Sequence, residues 1–308
     1  NTILEILKRK AAEGVEVRFM YDGMCAFDLL PYSYPKKLQK YGINCKMSNK
    51  IRPFVSTIQN NRDHRKICVI DGQVGYVGGV NLADEYINEK ERFGHWKDTA
   101  VLLRGDAVQS LTMIFLQMWD VDMRGVEPYG KYLTKKADTL NEKLGYVYMD
   151  ILNESRYYVH IMTPYLILDS DMITSLTFAA KRGIETIIIM PHIPDKCYAF
   201  AVAKTYYKEL IEGGVQIYEY TPGFVHAKIF VSDDDTATVG SINLDFRSLY
   251  LHFECASYFF RNAVVMDVEE DFQKTLAKSE RITLENCRKY PFIRRFAGKA
   301  LRILAPLM

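Results

Sequence analysis

The chain carries one chemical pattern twice, as His64-Arg65-Lys66-Ile67-Cys68-Val69-Ile70-Asp71 and as His226-Ala227-Lys228-Ile229-Phe230-Val231-Ser232-Asp233. Both read H-x-K-x-x-x-x-D. An imidazole can attack an electrophile or carry a proton near neutral pH, and an ammonium two residues on lies on the same side of an extended strand. Alternation of Lys66, Cys68 and Ile70 with Ile67, Val69 and Asp71 predicts such a strand. Seventeen residues past each histidine stands an asparagine, Asn81 in VGGVNLADEY and Asn243 in VGSINLDFRS, each after a glycine-containing turn. A single H-x-K means little, but two copies with the same trailing Asn are not coincidence.

These residues suit a phosphodiester site assembled from two half-sites related by a pseudo-twofold axis. Lys66, Lys228, Asn81 and Asn243 would hold the nonbridging oxygens and the charge of a pentacoordinate transition state, with Ser241 as a further candidate ligand, and no metal or other cofactor is required. One imidazole would attack phosphorus while the other protonates the leaving alkoxide, and water or a second alcohol would then open the phosphohistidine. Each imidazole needs an acceptor on its far nitrogen, and the candidates are Asp98, 34 residues after His64, and Glu254, 28 residues after His226. Asp71 and Asp233 complete the catalytic motif, but both end in turns, which favours structural pairing over proton transfer. His95, His160, His192 and His252 lack the Lys and Asn partners and are assigned packing or surface roles.

The elements that position these residues are themselves duplicated. ILEILKRKAAEGVEVRFMYD, a helix, Gly14 and a strand, is answered by SLTFAAKRGIETIIIMPH with Gly183, and KKLQKYGINC is answered by KELIEGGVQIYEY. The fold class is therefore α/β, with two repeats, each a mixed β-sheet flanked by helices, sharing one site. We expect a first repeat over 1–125, a linker over 126–143 in the polar stretch from Arg124 to Lys143, a second repeat over 144–290 and a C-terminal helix over 291–308. The second repeat opens with an apolar strand, Tyr157 to Pro164, that has no counterpart in the first. Asn1 opens directly in a helical pattern, so we expect residues upstream, including that strand and a membrane anchor.

With 48% hydrophobic and 25% charged residues the chain is folded rather than disordered, and a net charge of +2 is too small to imply nucleic-acid binding through bulk charge, so anion recognition must come from local placement of basic groups. The six cysteines lie at no metal-ligand spacing and read as buried hydrophobes in a reducing compartment. No apolar run is long enough to span a bilayer.

The paired motifs with their trailing G-G/S-x-N resemble those of the phospholipase D superfamily over nearly the whole chain. Within it, GYVGGVNLADEYI, FGHWKDTAV, TPYLILDSDM, YTPGFVHAKIFVSDD and GSINLDFRSLYLHFE look like bacterial cardiolipin synthases. That resemblance implies a phosphatidyltransferase joining two phosphatidylglycerols into cardiolipin and glycerol, at the bacterial cell membrane with the catalytic core on the cytoplasmic side. It also implies His64 as nucleophile and His226 as acid and base. The C-terminal pattern agrees with a membrane surface as partner: Arg294, Arg295, Lys299 and Arg302 lie on one arc, opposite an apolar arc containing Phe292 and Phe296. The rival readings are a hydrolytic phospholipase, a nuclease of the same superfamily and an inactive lipid-binding scaffold. The near-neutral charge argues against the nuclease, and intact motifs in both repeats argue against the scaffold.

Overall fold

The structure, a computed structural model, describes residues 2–23, 30–48, 61–124 and 145–303. The linker expected over 126–143 lies outside the described residues. The first repeat runs α1 (Thr2–Ala12), β1 (Val17–Asp22), α2 (Tyr34–Gln39), β2 (Ile43–Ser48), β3 (Ile67–Ile70), β4 (Val74–Gly78), β5 (His95–Lys97), β6 (Ala100–Arg104) and α3 (Ala107–Arg124). The second runs α4 (145–154), β7 (Tyr158–Met162), β8 (Leu166–Ile167), α5 (Ser170–Lys181), β9 (Glu185–Pro191), α6 (Cys197–Glu212), β10 (Gln216–Tyr220), β11 (Gly223–Val225) and β12 (Ile229–Ser232). It continues through β13 (Thr236–Gly240), β14 (Leu244–Asp245), β15 (Ala256–Phe260), α7 (Val264–Leu276), β16 (Ser279–Ile282), α8 (Leu284–Lys289) and α9 (Phe292–Arg302).

The duplication read from the sequence is visible strand by strand. In the second repeat one seven-stranded mixed sheet has the order β15-β13-β12-β7-β9-β10-β16. The first repeat holds the same pieces as two separate sheets, the parallel pair β1-β2 and the antiparallel β3-β4-β6. The difference has one cause. In the second repeat β7 pairs with β12 on one side and β9 on the other, and no described residue of the first repeat takes that place.

Burial follows the layers. β7, β9 and β12 are largely apolar and buried on both faces, as strands covered on both sides are. One face packs under α4, α5 and α6 in a cluster including Tyr148, Leu152, Leu176 and Tyr206. The other face forms a core with members from both repeats: Val77, Val101 and Leu111 pack with Val231, Val239, Val265 and Phe272. Because this second core crosses the repeat boundary, the two motif strands are held in fixed relation by apolar burial.

α9 lies against α6. At Gly298 the helices approach so closely that a Cβ would sit 2.4 Å from the Ala201 carbonyl oxygen, and Leu301 packs onto the first core. Among the described residues no helix is long and apolar enough to cross a membrane.

Candidate functional site

Both motif strands begin one residue past the lysine, at Ile67 and Ile229, rather than at the histidine as the alternation predicts. The segments ahead of them are held by the opposite repeat. β11, just before His226, pairs in parallel with β5, and the His226 amide donates to the Lys97 carbonyl at 2.7 Å. In the matching place the His64 amide donates to the Phe253 carbonyl at 3.0 Å, beside a parallel bridge between Asp63 and Phe253. Each motif histidine thus sits beside the segment that leads into the other repeat's acid.

The consequence is a crosswise pairing. His64 Nδ1 lies 2.9 Å from Glu254 Oε1, and His226 Nδ1 lies 2.7 Å from Asp98 Oδ2. The Nε2 atoms are the ring nitrogens turned away from these carboxylates. Lys66 and Lys228 each donate to the carbonyl of the histidine two residues earlier, and each lysine also acts electrostatically on the other repeat's histidine. The two half-sites therefore form one site.

Burial is the first cause of the unusual protonation. It pushes the His226 imidazole down to about 3, with the Lys228 charge adding to it, and it lowers His64 as well. Burial likewise brings the Lys228 ammonium down to about 7. Burial alone would raise Glu254, but the neighbouring His64 and His252 rings and the Lys66 charge outweigh it and hold the carboxylate well below its usual range. Both histidine shifts favour the neutral imidazole, which carries a free electron pair on its unprotonated nitrogen.

The asparagines stand in equivalent places. Asn81 Nδ2 donates to the Tyr86 hydroxyl at 2.6 Å and Asn243 Nδ2 to Ser248 Oγ at 3.1 Å, each partner five residues on. The buried Oδ1 of Asn243 has no partner among the described residues, which leaves one edge of that amide for a ligand. Ser241, expected as a phosphate ligand, directs its hydroxyl to Glu254 and accepts from the Cys255 amide at 3.0 Å, so in this arrangement it supports the acid behind His64. Asp233 accepts from the amides of Arg156, Tyr157 and Tyr158 at 2.7–3.0 Å, fastening the end of β12 to β7. Asp71 and Asp233 both adopt left-handed backbone (φ 53° and 55°) in the turns that close their strands.

The glycines of the trailing motif are fixed by close approach rather than by turning. A Cβ on Gly79 would fall 2.3 Å from Asp98 Oδ1, and one on Gly240 would fall 2.4 Å from the Ala256 Cα. The strands that deliver the two acids need that space.

The two histidines differ in their surroundings. Tyr86, Trp96 and Phe224 surround His226 with ring centroids 5.2, 5.2 and 5.9 Å away, and its side chain is 7% exposed. His64 is 22% exposed and faces His252, whose ring centroid lies 5.6 Å away. Sequence reasoning missed Tyr86, Trp96, Ser248 and His252. The shared five-residue offset from each Asn would have found Tyr86 and Ser248, whereas His252 gives no periodic signal.

Of the C-terminal residues expected at a membrane, Arg294, Arg295, Phe296 and Lys299 are exposed, Phe296 at 68%. Arg302 instead turns inward, 3.9 Å over the Tyr206 ring and 3.4 Å from Glu209, and the Phe292 side chain lies outside the described ones.

The model of the phospholipase D-like domain of cardiolipin synthase matches residues 1–119 and 148–276. The chain belongs to the cardiolipin synthase family of the phospholipase D superfamily. A cardiolipin synthase of Alkalihalophilus pseudofirmus is 35% identical to this phospholipase D-like chain over 325 residues, covering 100% of the chain and 64% of that relative. An uncharacterized protein of Streptococcus mutans is 51% identical over 322 residues, 99% of the chain and 70% of that protein. The chain thus spans about two thirds of the length of such relatives. The fold of a phosphatidylserine synthase from Haemophilus influenzae superposes with a TM-score of 0.75, over 99% of this phospholipase D-like chain and 86% of the other, at 14% identity.

Proposed function

We propose that the protein is a cardiolipin synthase that transfers a phosphatidyl group between two phosphatidylglycerol molecules. The observation that carries this reading is the crosswise pairing of His64 with Glu254 and of His226 with Asp98 around two converging lysines, in a chain that resembles cardiolipin synthases from end to end.

In the first step His64 Nε2 attacks the phosphorus of one phosphatidylglycerol, and the bond from phosphorus to the glycerol headgroup oxygen breaks. His226 delivers its proton to that oxygen, and glycerol leaves. Burial and the lysine charges both disfavour the protonated His226, and the incoming phosphodiester anion offsets those charges and favours the protonated form. Lys66, Lys228, Asn81 and Asn243 take up the charge on the nonbridging oxygens. In the second step a hydroxyl of another phosphatidylglycerol gives its proton to His226 and attacks phosphorus, the bond to His64 breaks, and cardiolipin is released. Glu254 keeps the His64 tautomer fixed and stabilises its positive charge through both steps.

The greater exposure of His64 supports its assignment as nucleophile, and the aromatic enclosure of His226 suits a group that exchanges protons while water is kept out. Exposed Phe296 between Arg294, Arg295 and Lys299 supports docking on an anionic bilayer, which this reading takes to be the cytoplasmic face of the bacterial membrane.

The test is to trap the intermediate. In a His226→Ala variant given labelled phosphatidylglycerol, the phosphatidyl group should accumulate on the peptide containing His64, stable to alkali and lost in acid. Label on any other peptide, or none in this variant and in wild type quenched during turnover, would overturn the assignment.

A further inference from the structure

The face of Glu254 turned away from Ser241 holds a second imidazole that the proposed reaction does not use. His252 Nδ1 is buried and makes no hydrogen bond, lying 3.6 Å from Glu254 Oε1, while His64 Nδ1 lies 2.9 Å from the same oxygen. One donor atom from each of His64, His252 and Glu254 lies within 4.8 Å of the others. Tetrahedral zinc, with bonds of about 2.0–2.2 Å, sets its ligand atoms about 3.4 Å apart, so the two measured separations bracket the required value. Two imidazoles with one carboxylate suit borderline transition metals and not calcium or magnesium, which take oxygen ligands. The His64 side chain is 22% exposed, so this ligand set borders solvent.

We propose that His64, His252 and Glu254 form a binding site for a divalent transition-metal ion of the zinc class, and that its occupation takes His64 out of the reaction. The ion takes the Nδ1 electron pair of His64 and replaces its hydrogen bond to Glu254, and the proton that Nδ1 carried passes through solvent to Nε2, occupying the pair that would attack. Nε2 is then a poor nucleophile. The binding site stands independently of the proposed function, and the inhibition rests on the reading of His64 as nucleophile.

Cobalt(II) titration of the metal-stripped protein, followed by absorption, reads the site without any lipid. The expected result is one ion per chain with visible ligand-field bands and no near-ultraviolet thiolate band, lost in His252→Ala and in His252→Asn, both checked for an unchanged melting curve. Zinc should inhibit phosphatidyl transfer reversibly by chelator, and each variant, compared with its own zinc-free rate, should need at least about tenfold more zinc. Cobalt spectra unchanged by both variants, or thiolate bands assigning the ion to cysteine, would overturn the site. Equal zinc sensitivity in wild type and variants would overturn the inhibition. If wild type shows no phosphatidyl transfer, the proposed function fails and the cobalt spectra still decide the site.

Discussion

Glu254 of the second repeat holds Nδ1 of His64 of the first at 2.9 Å, across 190 positions of sequence. The bond makes each repeat incomplete alone. Replacing Glu254 by Gln keeps the shape but removes the charge that stabilises the imidazolium and allows the wrong tautomer. We expect kcat to fall by about 10²–10⁴-fold with the melting temperature little changed, measured as turnover of labelled phosphatidylglycerol beside a thermal melt.

Lys228 is 1% exposed and its ammonium is brought down to about 7 by burial. Between that value and its ordinary value of about 10.5 the unfolded chain binds a proton that the native one does not, so stability rises with pH across this window. Below pH 7 the buried charge is a full cost to folding. Lys228→Met should therefore melt at a higher temperature than wild type, most clearly below pH 7, with the gap narrowing towards pH 10, while turnover is lost. A lower melting temperature at pH 6 would contradict this account.

The motif is legible because its chemistry is duplicated. The paired H-x-K and Asn spacing marked His64, His226, both lysines and both asparagines, and the helix-Gly-strand repeats marked the α/β architecture. The sequence also placed Asp98 and Glu254 as acids, but linear spacing says nothing of which histidine each one serves. The crossing arises from parallel pairing of β5 with β11 and of Asp63 with Phe253, which are tertiary contacts. Ser241 looked like a phosphate ligand because it follows Gly240, and only the fold brings Glu254 against its hydroxyl. Arg302 fits the basic arc by angle, yet the docking of α9 on α6 turns it over Tyr206.

Gly79 tests how tightly the acid is placed. In Gly79→Ala the new methyl would meet the Asp98 carboxylate at 2.3 Å, so Asp98 must leave its position on His226 Nδ1. We expect kcat to fall at least about 100-fold, with a stability loss of only about 1–3 kcal/mol for the overpacked site. Turnover near wild type would show that this approach is not needed.

α9 separates lipid contact from packing. Reversing the exposed Arg294 and Arg295 to Glu should weaken partitioning to anionic vesicles by about fivefold or more per site, following roughly 1 kcal/mol per basic residue at such a surface, with the melting curve unchanged. Arg302→Ala should instead lower the melting temperature, through loss of the Tyr206 and Glu209 contacts. Vesicle sedimentation beside thermal melts checks both.

The most direct measurement is the product made from labelled phosphatidylglycerol vesicles in the presence of a chelator, by wild type, His64→Ala and His226→Ala. Labelled cardiolipin with an equal amount of free glycerol, from wild type alone, is the predicted result. Phosphatidic acid as the sole product, or cardiolipin formed equally by either variant, would contradict a phosphatidyltransferase built on these two histidines.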